Sequence, residues 1–149
     1  MPKLDLDAIP QANSTGYPQP FAADMSRRHF RRLAPAGGLA DFGVSHVVLE
    51  PGGMSSQRHW HEGEDEFLVM LDGEALLVED DGETLLRAGD CAVFAKGVPN
   101  GHHLINRGHR PCTFIVVGGV TDSACHYPDI DLHVDGPTQR YTHKDGRPY

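Results

Sequence analysis

At 149 residues the chain has room for one domain with a substantial core, and too little for two. Its 39% hydrophobic and 23% charged residues are ordinary for a globular protein, while 21 acidic against 13 basic residues, a net charge of −8, argue against nucleic acid and anionic membrane surfaces as partners. No apolar run approaches the roughly 20 residues of a membrane-spanning helix, and Met1 to Asp7 lacks the apolar stretch of a signal peptide, so a cytoplasmic protein is expected.

In chain order, residues 1–24 are polar and carry Pro2, Pro10, Pro18 and Pro20, which predicts an arm draped over the domain surface. Next comes the basic cluster Arg27-Arg28-His29-Phe30-Arg31-Arg32. It reads as a solvated strand or loop face able to steer an anionic substrate, with helical turns expected between Ser26 and Leu33. Strand-like segments then follow one another: Phe42 to Glu50, Ser56 to His61, Glu66 to Leu71, Glu74 to Glu79, Glu83 to Arg87, Cys91 to Ala95, His102 to Asn106 and Cys112 to Val117. Asp81-Gly82 is a hairpin signal between two of them. Eight short strands without crossover helices predict an all-β fold, a closed or double-sheet antiparallel jelly-roll barrel.

Phe67-Leu68-Val69-Met70-Leu71 and Phe114-Ile115-Val116-Val117 are apolar on both faces, so both faces should be covered. A homodimer through an outer sheet face is expected; arms folding over the face of a monomer are the alternative. After Gly118-Gly119 the chain turns polar. His126-Tyr127-Pro128-Asp129 and Tyr141 to Gly146 have no ligand spacing and predict a surface strand and a turn. Cys91, Cys112 and Cys125, odd in number and unpaired in spacing, are expected as free, buried thiols.

The chemistry is concentrated between Gly53 and Gly73. His59 and His61 are two residues apart, which on a strand points both side chains to one face. Glu66 stands at an odd offset from His61, but Glu62-Gly63-Glu64-Asp65 reads as a turn that redirects the chain, freeing the carboxylate to face both imidazoles. Two imidazole nitrogens and a carboxylate oxygen suit Mn, Fe, Ni, Cu or Zn. The same parity sends Leu68 and Met70 inward, and turns Arg58 and Trp60 away from the site.

Gly53, His59, His61, Glu66 and Gly73 match G-x5-H-x-H-x3-4-E-x6-G, the first motif of the cupin superfamily, which the chain resembles. The second motif, G-x5-P-x-G-x2-H-x3-N, is met by Gly89, Gly97, His102 and Asn106, with Ala95 in place of the proline and four residues between Gly97 and His102. Asp41-Phe42-Gly43 and Pro99-Asn100-Gly101-His102-His103 are similar to small single-domain bacterial cupins described as sugar-phosphate-isomerase-like. The resemblance implies a surface arm (1–24) and one cupin domain (25–149) with its metal-site core at about 42–119. It also makes His102 the fourth ligand beside His59, His61 and Glu66, with His103 facing away and Leu104 turned inward.

A site of four protein ligands leaves positions for water or substrate on one divalent transition metal (Fe, Mn, Ni or Zn). The resemblance points to an isomerase-like enzyme acting on a small polar metabolite. The alternatives are an Fe(II) dioxygenase, a lyase, or a non-catalytic barrel that binds a small ligand. No catalytic residue is legible: Glu64, Asp65 and His103 are the nearest candidates for a general base.

Overall fold

The computed structural model describes residues 3–119 and 122–149. Met1 and Pro2, the first residues of the expected arm, and Val120 and Thr121, where the polar C-terminal stretch begins, lie outside the described residues. The regular structure is almost entirely antiparallel β, with one short α-helix, α1 (Leu33–Ala36), and two 3-10 turns at Leu6–Ala8 and Phe21–Arg27.

Among the described residues, twelve strands form three sheets. The largest contains β1 (Arg28–Arg32), β2 (Phe42–Leu49), β4 (Glu66–Asp72), β7 (Cys91–Phe94) and β9 (Cys112–Gly119), in the order β1-β2-β9-β4-β7. A second holds β5 (Glu74–Glu79), β6 (Gly82–Arg87) and β8 (His103–Ile105), in the order β6-β5-β8. The third joins β3 (Trp60–His61), β10 (Cys125–Tyr127), β11 (Leu132–Val134) and β12 (Tyr141–Thr142), in the order β12-β11-β10-β3. This is the expected jelly roll in its multi-sheet form; the hydrogen-bond ladders do not run on into a single closed barrel.

The core lies between the first two sheets. Val47 and Leu49 of β2, Leu68 and Met70 of β4, Leu104 of β8, and Cys112 and Phe114 of β9 pack with Ala75, Leu77 and Leu86. Burying side chains of this size contributes about 1.5–3 kcal/mol each before chain entropy is counted. Gly73 makes the tight β4–β5 corner possible. Its φ is +71°, and a Cβ there would fall 2.9 Å from Cys112.

Several element boundaries differ from those expected. The helical turns flank Arg28–Arg32, ending at Arg27 and resuming at Leu33, and Arg28–Arg32 itself is a strand paired along its length with β2. The β5–β6 hairpin turns one residue early, with Gly82 already paired to Glu79. The predicted strand from Ser56 survives only at its end, Trp60–His61, because Ser56 and Gln57 direct their carbonyls to His103 and His59 instead of to a ladder. Cys91 is exposed, unlike Cys112 and Cys125, because it lies on the outer face of the first sheet. The C-terminal stretch forms three strands of the third sheet, more than the single surface strand expected. Among the described residues no helix is long and apolar enough to cross a membrane.

Candidate metal centre

Register decides which side chains enter the cavity. Across the first sheet, Glu66 pairs with Gly118 and Phe94, Leu68 with Val116 and Ala92, and Met70 with Phe114. Residues directly opposite in an antiparallel ladder share a face, so Glu66 lies on the same face as the buried core side chains. The turn before β4 brings it opposite the histidines. His59 and His102 are bridged backbone to backbone, His59 N–H to the His102 carbonyl at 3.2 Å and the reverse at 2.9 Å.

Three imidazoles converge on one carboxylate oxygen. Glu66 Oε2 lies 2.8 Å from His102 Nε2, 3.6 Å from His61 Nε2 and 3.9 Å from His59 Nε2. Ligand atoms of His59, Glu66 and His102 fall within 4.8 Å of one another. His61 reaches Glu66 but joins a second set of the same span, with His59 and Cys125.

The surroundings fix these rings. His59 Nδ1 donates to the Gln57 carbonyl at 2.9 Å, which leaves the lone pair on Nε2, facing Glu66. Phe94 stacks on His102 at 3.7 Å between centroids. A Glu64 oxygen lies 3.5 Å from His61 Nδ1, the position of a carboxylate that orients a ligating histidine. Imidazole nitrogens beside a carboxylate suit a divalent transition cation, and these residues could hold one.

The electrostatics are those of a buried, coupled cluster. Burial, with the neighbouring imidazoles, brings His59 down to about 4, and Glu66 only partly offsets this. His61 is lowered by burial as well. Burial alone would raise Glu66, but the His102 hydrogen bond and the three imidazoles outweigh it and bring the carboxyl down to about 2. Glu64 goes the other way, to about 7, through burial and the charge of Glu66.

The remaining sequence candidates are also placed. His103 Nδ1 donates to the Ser56 carbonyl, and Asp65 accepts from the Lys96 backbone, so neither is held in the imidazole cluster. Arg58 grips Asp129 through two 2.7 Å bonds and also pairs with Asp80. Trp60 stacks on His126 at 4.2 Å. Sequence reasoning missed Cys125, which stands opposite His61 in the β3–β10 ladder, and Tyr127, buried beside His59. No spacing signal could have found them, because a strand more than 60 residues away in sequence brings them in.

His59, Glu66 and His102 form part of the wall of a cavity of about 450 Å³ that opens to solvent. Phe30, Val47, Leu68, Phe94, Leu104 and Phe114 make much of that wall apolar.

The Cupin domain family matches residues 45–118, which include the whole cluster. A solved structure from Silicibacter pomeroyi, described as a sugar phosphate isomerase from a cupin superfamily, is 45% identical, with 99% of this chain and 96% of that chain covered and a TM-score of 0.94. The chain belongs to the cupin superfamily. A solved structure from Acidithiobacillus ferrooxidans described as a putative sugar phosphate isomerase is 24% identical over 77% of this chain and 74% of its own, with a TM-score of 0.72. A polyketide cyclase from Streptomyces resistomycificus is 18% identical over 80% and 79%, with a TM-score of 0.63. Both likenesses concern the fold alone. No curated protein matches this cupin in sequence.

Proposed function

We propose that this cupin is a metal-dependent enzyme acting on a small polar metabolite, and that isomerisation of a sugar phosphate is the first reaction to test. One observation carries the reading: three imidazole nitrogens meet a single carboxylate oxygen, and that carboxylate lines an open cavity together with His59 and His102. His59, His61, Glu66 and His102 would hold one Fe, Mn, Ni or Zn ion. Bound there, the ion would supply Lewis-acid polarisation of a substrate carbonyl or hydroxyl oxygen. The chain's own part is to orient the substrate against the apolar walls of the cavity. The relative from Silicibacter pomeroyi supports the choice of reaction.

The apolar lining favours a second reading. Phe30, Phe94 and Phe114 offer little to a bare polyol, and a substrate with a hydrocarbon body would suit dioxygenase or lyase chemistry. A partner is also proposed. Phe67, Leu71 and Val93 are exposed on the outer face of the first sheet, and a second copy of the chain would cover them in a homodimer.

The test is elemental analysis of purified protein, wild type beside His59→Ala/His61→Ala, followed by turnover assays on aldose and ketose phosphates. Near-stoichiometric metal in the wild type that disappears in the double variant is expected. Iron would direct attention to oxygen chemistry, and zinc, manganese or nickel to isomerase and lyase substrates. Negligible metal in both proteins, even after reconstitution, would overturn the metalloenzyme reading.

A further inference from the structure

Strand β1 sorts the basic cluster into two sets. Its register pairs Arg28 with Leu49, Phe30 with Val47, and Arg32 with Ser45. Leu49 and Val47 are core residues, so Arg28, Phe30 and Arg32 face inward and line the cavity. The intervening residues face away and are engaged elsewhere: His29 with Glu50 at 2.8 Å, and Arg31 with the Ile9 carbonyl at 3.0 Å.

The two inward arginines flank one ring. Their guanidinium carbons lie 5.3 Å (Arg28) and 5.7 Å (Arg32) from the Phe30 centroid. Neither forms a salt bridge among the described residues, although acidic residues outnumber basic ones by 21 to 13 in the chain. Arg28 donates to the carbonyls of Ser55 and Ser14, and its Nε is buried without a hydrogen-bond partner. Two like charges without a salt-bridge partner on a cavity wall, one with an unused buried donor, are an unsatisfied arrangement that an anion would complete.

We infer that Arg28 and Arg32 form an anion clamp that holds a phosphoryl or carboxylate group of the substrate on the same cavity wall as Glu66, at the far edge of the sheet. The inference rests on reading the cavity as a substrate site, and it narrows the substrate to an anionic metabolite. Phe30 sets the spacing, holding the two guanidinium groups apart on one face. The clamp lies outside the stretch matched by the Cupin domain family, residues 45–118.

The test uses full-length protein labelled with 15N-arginine and stripped of metal with EDTA, so its outcome does not depend on whether the metal reading holds. Arginine Nε–Hε resonances are followed while inorganic phosphate, and separately acetate, is added at constant ionic strength. Saturable shifts of the two signals are expected, with the titration of the remaining arginine moved to higher anion concentration in Arg28→Gln and Arg32→Gln. Each variant should weaken the anion about tenfold, as the loss of a charge-assisted contact implies. Arg31→Gln, on the opposite face of the same strand, should leave the affinity unchanged. Tighter phosphate than acetate assigns a phosphoryl group, and the reverse assigns a carboxylate. Arg32→Gln keeps the test decisive should Arg28→Gln not fold. Non-saturable shifts shared by all arginines would overturn the clamp. So would phosphate that binds only after metal is restored, and equally well in the arginine variants.

Discussion

The Glu64 carboxylate occupies the space that a side chain on residue 118 would need: a Cβ built on Gly118 collides with Glu64 Oε1. Gly118 is paired with Glu66 in the β4–β9 ladder, so this glycine lets two carboxylates sit side by side, one aimed at His61 Nδ1 and the other at the three Nε2 atoms. If the cluster holds a metal, Gly118→Ala and Glu64→Ala should both free the His61 ring. Each should weaken metal affinity about 10–100-fold, the usual effect of losing a residue that orients a ligand. Competition with a chromogenic chelator measures this, and unchanged affinity in Glu64→Ala would remove the orienting role.

Asn106 is fully buried and serves as a brace. Its Nδ2 donates to the carbonyls of Leu49 (2.9 Å) and Arg110 (2.8 Å), and its Oδ1 accepts from Gly108 N–H at 2.9 Å. Asn106→Ala leaves these groups without partners, at a cost on the order of 3 kcal/mol. Urea unfolding measures the loss. An effect within experimental error would mean that water takes over the bonds.

Thiol chemistry separates the three cysteines. Burial pushes Cys112 up to about 11 and Cys125 up to about 12, while Cys91 is exposed. A disulfide reagent at mildly alkaline pH should modify Cys91 alone in the native protein and all three thiols in denaturant. Rapid native modification of Cys91→Ser protein would contradict the buried placement of the other two.

Metal-free protein should lose stability as pH falls. Burial lowers His46, His59, His61, His103 and His133 below their ordinary 6.5, so the unfolded chain binds protons that the folded chain resists. The loss begins near 6.5 and for His59 continues to about 4. Glu66, at about 2 against 4.5, extends it below 4.5. Glu64, raised from 4.5 to about 7, opposes it between about 7 and 4.5, and Glu64→Gln should therefore steepen the decline there. Melting temperatures from about pH 7.5 down to about pH 4.5 test the sign; a rise would contradict it.

Local pattern carried the strand count through the middle of the chain and the inward parity of Leu68, Met70 and Leu104, because period-two alternation is a property of the segment itself. It failed at Ser56–Arg58, where side chains take up backbone carbonyls that a ladder would otherwise use. The basic cluster was legible as charge but not as a strand with two faces, since its alternation appears only against β2.

The sequence by itself determined the jelly-roll class and grouped His59, His61 and Glu66 by strand spacing, which limits where those side chains can point; the resemblance to cupins added His102 to the set. Only the tertiary structure decided what surrounds that set. Glu64 lies against Gly118, Cys125 stands opposite His61, and Arg28 and Arg32 share a cavity wall with Glu66. Each of those relationships is a contact between segments distant in sequence, fixed by sheet register and packing rather than by local spacing.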